Sequence, residues 1–382
     1  AAGCVLKTLP AEDAPAKAKL FRDKFQHHIT VQVEENKSAI LSNDMKNTDS
    51  RLASAYILAD PFSGAFINGA PTWLNHMRNS EYRVAWHDWA GIPNPLFSPF
   101  VGKHISSRST RGGGTHSRTV GAHGDNLGAV TGRHMIAKHD EIKWALFGIM
   151  KRAGYRAECE VTGLFREFAQ NMPESASMRL RDILVPDFLL NGSRIADIKT
   201  LSYTANNYSG RRRFENGAAV TARASKVLLE YRRKARAADR KWNNTPHDAV
   251  GPIESRLNEF GTVLPLVFGY LGEANKAVHT LLTDIATVGA RNLWRQMGQT
   301  SQVNAVGVLK NTYRRNLGVA VVRANARMKL RVLGTLLGRS NDAQYTSAAR
   351  QEARFREAEW DNYLRHGPRG QAEYHHGSEH CI

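Results

Sequence analysis

The sequence predicts an α/β fold in which helices flank both faces of a mixed β-sheet, with helical extensions at both ends of the chain. The first observation is a hairpin pattern, because two apolar runs within Ile183–Thr200 flank the turn-forming pair Asn191-Gly192. The second is the order of hydrophobic patterns around it, which reads helix, strand, hairpin, helix, strand and helix. This order implies a mixed sheet with helices on both faces.

Each element of this core has its own pattern. Apolar residues from Ile142 to Ala153 recur at helical spacing, and Gly154 supplies a stop signal. A strand is predicted between this helix and the hairpin, and a long helix, a strand and a further helix follow. The predicted bounds after the first helix are, in chain order, Tyr155–Leu164, Asp182–Leu201, Ala218–Trp242, Leu264–Leu271 and Glu273–Met297.

The chain of 382 residues is long enough for two domains or for one large domain with extensions. Residues 1–102 are predicted to be mostly helical. Residues 103–131 hold Ser, Gly, Thr, Arg and His and are predicted to be a flexible basic linker. The α/β core is predicted over 132–298. Residues 299–382 are predicted to be a basic helical extension with a disordered tail.

The charge balance indicates a polyanionic partner. Lys and Arg number 53 against 35 Asp and Glu, which gives a net charge of +18. Nucleic acid is the commonest such partner. The predicted helix over 218–242 and the triplet before it concentrate these cations, and a helix with such a face would neutralise phosphates. The candidate nucleic-acid-binding residues are Arg211, Arg212, Arg213, Arg223, Lys226 and Arg233.

Cysteine content and hydropathy narrow the class of protein. The three cysteines are too few and too scattered for a disulfide framework or a four-cysteine zinc site, which fits a reducing, intracellular compartment. No apolar run is long enough for a membrane span, and no secretory signal is visible, so no membrane partner is expected. Residue 1 is alanine, so the chain is processed or is a piece of a longer product, and we favour the second.

The hairpin carries the strongest chemical pattern in the chain. Side chains alternate faces along a strand, so Asp197 and Lys199 point the same way, and the turn brings Asp187 near them. Two carboxylates suit a hard divalent cation, Mg²⁺ or Mn²⁺, and a lysine beside them can orient a water or offset charge on a phosphate. Asp182 competes with Asp187 as the first acid, because the two would face opposite sides of one strand.

Further acids and histidines extend the candidate site. Glu141 lies beside the apolar stripe of the first helix and is a candidate to assist at the metal. Glu158 and Glu160 share one face of the next strand, and Glu160 is the slightly preferred additional carboxylate. No structural zinc is expected, because no cysteine pair accompanies the histidines. These histidines are His116, His123, His134 and His139.

The Pro186-Asp187 pair followed by Asp197-Ile198-Lys199 resembles the PD-(D/E)xK core of the restriction-endonuclease-like nuclease superfamily. A looser resemblance covers about residues 50 to 290. It is to the region downstream of the reverse transcriptase in eukaryotic non-LTR-type retroelement polyproteins, and the order of its motifs carries most of the weight. Those motifs fall within Arg51–Thr72, Asn79–Pro93, Gly121–Gly128, Arg133–Ile142, Ala153–Glu160, Asp182–Pro186 and at Asp197.

The resemblance implies a metal-dependent endonuclease that acts on DNA, with RNA as the alternative substrate, within a parent chain that also holds a reverse transcriptase. It implies a nuclear location, residues 132–298 as the nuclease-like domain, and residues 1–102 as a connector after the polymerase. The zinc-knuckle cysteines usual in that family are missing, whereas Lys199 is kept. The family's alignment favours Asp182 and the superfamily motif favours Asp187, so both stay open. The alternative function is a non-catalytic nucleic-acid-binding module on a decayed nuclease fold.

Overall fold

The computed structural model of the chain describes residues 33–47, 50–68, 76–108, 115–130, 133–169, 184–204 and 206–336. Within these ranges the fold is mixed, with more helix than strand. The helices, labelled α1 to α10 in chain order, span 33–47, Ser50–Ile57, Ala65–Asn68, Asn79–Ala90, Arg133–Ala153, Arg211–Phe214, Ala218–Trp242, Pro252–Glu259, Lys276–Leu293 and Gln302–Leu336. The strands, labelled β1 to β6, span His104–Arg108, Thr115–Thr119, Ala157–Cys159, Phe188–Leu190, Arg194–Thr200 and Leu264–Phe268.

A four-stranded mixed sheet forms the centre of the fold. Its strand order is β3-β4-β5-β6, in which the first two pairs are antiparallel and β5 runs parallel to β6. The parallel pair needs a long crossover, and α6, α7 and α8 lie in that segment of the chain. The predicted mixed sheet and the predicted order of its elements are therefore confirmed.

Helices cover both faces of this sheet, as predicted, and side-chain alternation decides which strand residue faces which helices. On one face, Phe188 and Ile198 pack with residues of α5, α9 and α10. On the other face, Leu189 and Ile195 pack with residues of α7 and α8. Asp197 and Lys199 follow Ile195 at two-residue steps, so they lie on the α7 face of β5.

The predicted hairpin is present between β4 and β5. Phe188 pairs with Ala196, and Leu190 pairs with Arg194. Asn191 and Gly192 both have positive φ, at 51° and 74°, which glycine and asparagine tolerate best. This local chemistry fixes the turn and with it the register of the two strands.

The bounds of several elements differ from those predicted. Helix α7 has the predicted bounds, whereas α9 and β6 are shorter. Strand β3 covers only Ala157–Cys159 of the predicted Tyr155–Leu164, because Glu160 adopts a φ of +52° that ends the extended chain. Its N–H then donates a hydrogen bond to the Asp187 carbonyl at 3.0 Å.

The predicted flexible linker over 103–131 is in part wrong. Strands β1 and β2 within it form an antiparallel hairpin, and a 3-10 turn over Leu127–Ala129 is buried. Ile105 and Leu127 pack in one apolar cluster with Phe97 and Val332, which anchors the segment to the fold. The triple glycine at 112–114 lies outside the described residues.

Helix α10 is a central packing element, not an appended extension. Leu309, Tyr313 and Leu317 lie along one side of this helix and are buried against the same core as α5 and α9. Glycine at 318 permits close approach, because a Cβ there would lie 2.6 Å from the Phe62 carbonyl oxygen. The predicted disordered tail, which comprises the last dozen residues, lies outside the described residues. Among the helices described, none is long and apolar enough to cross a membrane.

Candidate functional site

Asp187, Asp197 and Lys199 converge at one end of the β4–β5 hairpin, as predicted. Asp187 precedes β4, and its Oδ2 accepts a hydrogen bond of 2.6 Å from the backbone N–H of Ile198. Asp197 is only 4% exposed, and its Oδ2 forms an ion pair with Lys199 Nζ. The Asp187 side chain thus binds the backbone of the strand that presents the other two groups, which holds the three together.

Helix α5 adds basic and acidic side chains to this site from the opposite side. His139 Nε2 lies 3.0 Å from Asp187 Oδ2, and His139 Nδ1 lies 3.2 Å from Asp140 Oδ1. Lys143, one helical turn further on, donates a 2.9 Å hydrogen bond to Asp140 and a second, short one to Glu160. The result is a connected chain of ionic contacts from Glu160 at the surface to Asp187 within.

The protonation states follow from burial and from these partners. Burial alone would lower the pKa of His139, but its hydrogen bonds to Asp140 and Asp187 outweigh burial and raise the pKa to about 9. His139 is therefore protonated at neutral pH and donates through both ring nitrogens. Burial acts to raise the pKa of Asp187, yet the hydrogen bonds from His139 and the Ile198 N–H hold it below its ordinary value.

Asp197 has the opposite pKa shift from Asp187. Burial is the largest influence and raises the pKa of Asp197, and the negative charge of Asp187 adds to the rise, while Lys199 opposes it. Tyr231 of α7 lies beside this carboxylate, and burial, followed by the charge of Asp197, keeps the pKa of its hydroxyl above the ordinary value. Two neighbouring acids with opposed shifts form a pair whose mutual repulsion Lys199 relieves only in part.

Glu141 does not join this site, contrary to the sequence-based prediction. Its Oε1 accepts hydrogen bonds from Arg323 Nε at 2.7 Å and from Arg327 Nη1 at 3.2 Å. The helix turns Glu141 about 100° away from Asp140, toward α10. Glu141 is thus a structural ion-pair partner, and it lies outside the candidate metal site.

The other predicted residues lie at or near the site. Glu160 lies at its mouth, where Lys143 holds it, and Glu158 is exposed on β3. Asp182 lies outside the described residues. The structure places Asp187, the other candidate for the first acid, at the site.

The predicted basic surface on α7 flanks the site. Lys226 and Arg233 are exposed, and Arg223 forms a bidentate ion pair with Glu230 at 2.6 and 3.0 Å. Arg223, and to a smaller extent Lys199, hold the pKa of Glu230 below its ordinary value, which links this surface to the hairpin. Before α7, Arg212 donates to Ser209 Oγ at 2.9 Å, Arg213 is half-buried, and Arg211 begins α6.

Sequence reasoning missed the roles of His139, Asp140, Lys143 and Tyr231. The spacing of His139 and Lys143 at i and i+4 is a signal that both lie on one helix face, but nothing local shows that this face meets β4. Tyr231 follows the apolar spacing of α7 and is buried, so its pattern is that of a core residue.

The donor set of the site fits a hard divalent cation in kind. Mg²⁺ is commonly held by one or two carboxylates together with substrate phosphate and water. Asp197 Oδ2 is buried and contacts Lys199 without a well-directed hydrogen bond, so it has acceptor capacity left over. Within the described ranges, no three His, Cys, Asp or Glu side chains form a ready metal cluster. Asp187 and Asp197 are the residues that could hold the ion.

Comparison with protein-family models, with curated proteins and with solved structures finds no match to this chain.

Proposed function

We propose that the chain is a metal-dependent endonuclease with a restriction-endonuclease-like core, and that it hydrolyses phosphodiester bonds in DNA. The observation that carries this proposal is the buried pair Asp187 and Asp197 beside Lys199, next to a helix with exposed cations. The mixed sheet of three antiparallel-linked strands followed by a parallel one agrees with such a core. The motif order along the chain supports the narrower proposal that it belongs to a retroelement protein.

Asp187 and Asp197 would hold Mg²⁺, or Mn²⁺ in its place. When bound, the ion would lower the pKa of a water molecule and stabilise charge on the scissile phosphate. Lys199, whose side chain is 29% exposed, would turn from Asp197 to position the attacking water. Protonated His139 and buried Lys143 would keep Asp140, Asp187 and Glu160 oriented by their hydrogen bonds. Lys226 and Arg233 would contact backbone phosphates and set the orientation of the duplex.

Nicking of supercoiled plasmid tests this function. The wild-type chain is expected to nick with Mg²⁺ or Mn²⁺ and to stop when EDTA removes the metal. Asp187→Asn, Asp197→Asn and Lys199→Gln should each lower the nicking rate by about 100-fold or more, because each removes a ligand or a charge that acts in the transition state. Quantified gels at several enzyme concentrations give the rates.

A matched control is Asp248→Asn, because the Asp248 side chain is fully exposed and lies far along the chain from the hairpin. Its rate should equal that of the wild type. Thermal melting of each variant separates loss of chemistry from loss of fold. Equal nicking by the wild type and by Asp197→Asn would show that the cutting does not depend on this site, and the proposed function would be rejected.

A second candidate is a nucleic-acid-binding module without catalysis. The observation that favours it is the set of internal ion pairs, since His139 and Lys199 neutralise the two carboxylates with groups of the chain itself. A wild type that binds DNA with a steep salt dependence, yet never nicks with either metal, establishes this second function in place of the first.

A further inference from the structure

An exposed indole lies directly beside the candidate site. Trp144 of α5 is 52% exposed, although burial of an aromatic side chain of this size is strongly favoured. Lys143 Nζ, which contacts Asp140 and Glu160 of the site, lies 5.5 Å from the centroid of the Trp144 ring. A single side chain, Lys143, therefore connects the indole to Asp140 and Glu160 of the site.

The Trp144 ring contacts a neighbouring aromatic ring, while about half of its surface remains exposed. Phe147 meets it edge-on, with ring centroids 5.8 Å apart and planes at 76°. Phe147 in turn stacks on Phe188, the first residue of β4, at 6.4 Å and 15°. Phe188 directly follows Asp187, so this aromatic column connects the indole to the strand that presents the first acid.

The charge around the indole suits a phosphate-bearing ligand. Lys151 lies one to two turns further along α5, with its Nζ 5.0 Å from the Phe147 ring centroid. It is exposed and adds a cation on the side of Phe147, while Lys143 lies near the indole itself. A flat aromatic surface beside cations is the arrangement on which proteins stack nucleic-acid bases.

We infer that Trp144 is the stacking platform for an unpaired base of the DNA strand whose phosphate enters the site. A base inside a duplex has both faces covered by its neighbours, so the indole can stack only on a base that is single-stranded, terminal or turned out. This inference rests on the proposed function and names its substrate class, which is DNA with an unpaired nucleotide next to the cleaved bond.

Binding of labelled oligonucleotides in EDTA tests this site without any cleavage. The probes are a short single-stranded DNA and the duplex of the same sequence, and the readout is fluorescence anisotropy. Trp144→Ala should weaken binding of the single strand by about tenfold or more, and binding of the duplex by less than about twofold. Trp144→Phe should keep most of the single-strand affinity, because a smaller ring still stacks.

The matched control is Trp89→Ala, because Trp89 on α4 is 41% exposed and therefore similar in exposure. Its single-strand affinity should stay within about twofold of the wild type. The inference is overturned if Trp144→Ala binds the single strand like the wild type, if it loses both probes equally, if Trp89→Ala shows the same loss, or if the wild type binds neither probe.

The binding assay and the nicking assay can fail independently of each other. A chain that shows the predicted Trp144 pattern but never nicks plasmid keeps the base-stacking site and loses the proposed hydrolysis. A chain that nicks plasmid while Trp144→Ala binds normally keeps the hydrolysis and loses the base-stacking site.

Discussion

At the scale of single residues, the molecule places ionisable groups where water cannot reach them. Glu273 is fully buried, where Tyr208 donates a short hydrogen bond to Oε1 and the Leu271 N–H donates one of 3.1 Å to Oε2. Burial, as the largest influence, raises the pKa of this carboxyl to about 7. Its neighbour Lys138 is also buried, and burial lowers the pKa of that ammonium to about 7.

The pKa shifts of Glu273 and Lys138 affect the stability of the fold in different pH ranges. The folded state binds the Glu273 proton more tightly than the unfolded chain does, so this contribution is complete below 4.5 and is lost as the pH rises to about 7. Lys138 is protonated in both states below 7, so its effect falls between about 7 and 10.5. Between pH 4.5 and 7, Glu273 therefore affects stability whereas Lys138 does not.

We predict that Glu273→Gln removes part of the pH dependence of stability. The glutamine imitates the protonated carboxyl, so the wild type should lose up to about 3 kcal/mol relative to the variant between pH 4.5 and 7. Chemical unfolding followed by circular dichroism at several pH values measures this difference. Parallel curves for the two proteins would mean that Glu273 titrates in the folded chain as it does in the unfolded one.

The contacts of single residues also show which roles the sequence predicts and which it does not. Asp187, Asp197 and Lys199 were predictable because a turn and a two-residue alternation, both local, bring them together. Glu141 was misplaced because its partner Arg323 lies 182 positions away, which no local pattern reveals. His139 was missed for the same reason, since Asp187 is 48 positions distant.

At the scale of elements, a carboxylate near the end of one helix accepts hydrogen bonds from the first turn of the next helix. Asp239, near the end of α7, is 1% exposed and accepts hydrogen bonds of 2.9 Å from the N–H groups of Ile253 and Glu254. Those groups lie in the first turn of α8, where backbone donors have no partner within the helix. Gly251 makes room for the contact, because a Cβ there would lie 2.3 Å from Asp239 Cγ.

We predict that Asp239→Ala lowers the free energy of unfolding by about 3 kcal/mol, because two buried donors lose a charged acceptor. Asp239→Asn keeps one acceptor oxygen and should cost less. Urea unfolding measures both. Asp248→Ala, at an exposed carboxylate, is the control and should stay within about 0.5 kcal/mol of the wild type. An equally small effect at Asp239 would show that water satisfies the first turn of α8.

The elements also differ in how well the sequence reveals them. Helix α7 and the β4–β5 hairpin were found because periodic apolar residues and Asn191-Gly192 are strong local signals. The sequence does not predict the β1–β2 hairpin, since its residues are mainly Ser, Thr, His and Arg and lack the alternation that marks a strand. Tertiary burial of Ile105, not local propensity, holds it in place.

At the scale of the whole molecule, the terminal regions and the α/β core share one interior. Arg323 of α10 donates to Glu141 of α5, Arg327 donates to Glu81 of α4 at 2.8 Å, and Lys329 donates to Asp88 of α4 at 2.6 Å. The boundaries predicted at 131 and 298 therefore cut through ion pairs and apolar contacts between residues that lie far apart in the sequence.

We predict that residues 132–298 alone do not form a stable domain. Without α10 the fragment would expose the apolar surface that Leu309, Tyr313 and Leu317 cover, and would leave Glu141 without its arginines. A chain of residues 33–336 should melt cooperatively, whereas the fragment should bind a hydrophobic dye and be digested rapidly by protease. A cooperative, protease-resistant fragment would show that the core is autonomous.

The burial of α10 also sets the order of events when the chain is made. A ribosome releases the sheet, α5 and α9 before residues 302–336, so the surface that α10 covers stays open to solvent until α10 has emerged. We therefore expect the newly made chain to depend on chaperones at this stage and to complete this core only after residues 302–336 have been made.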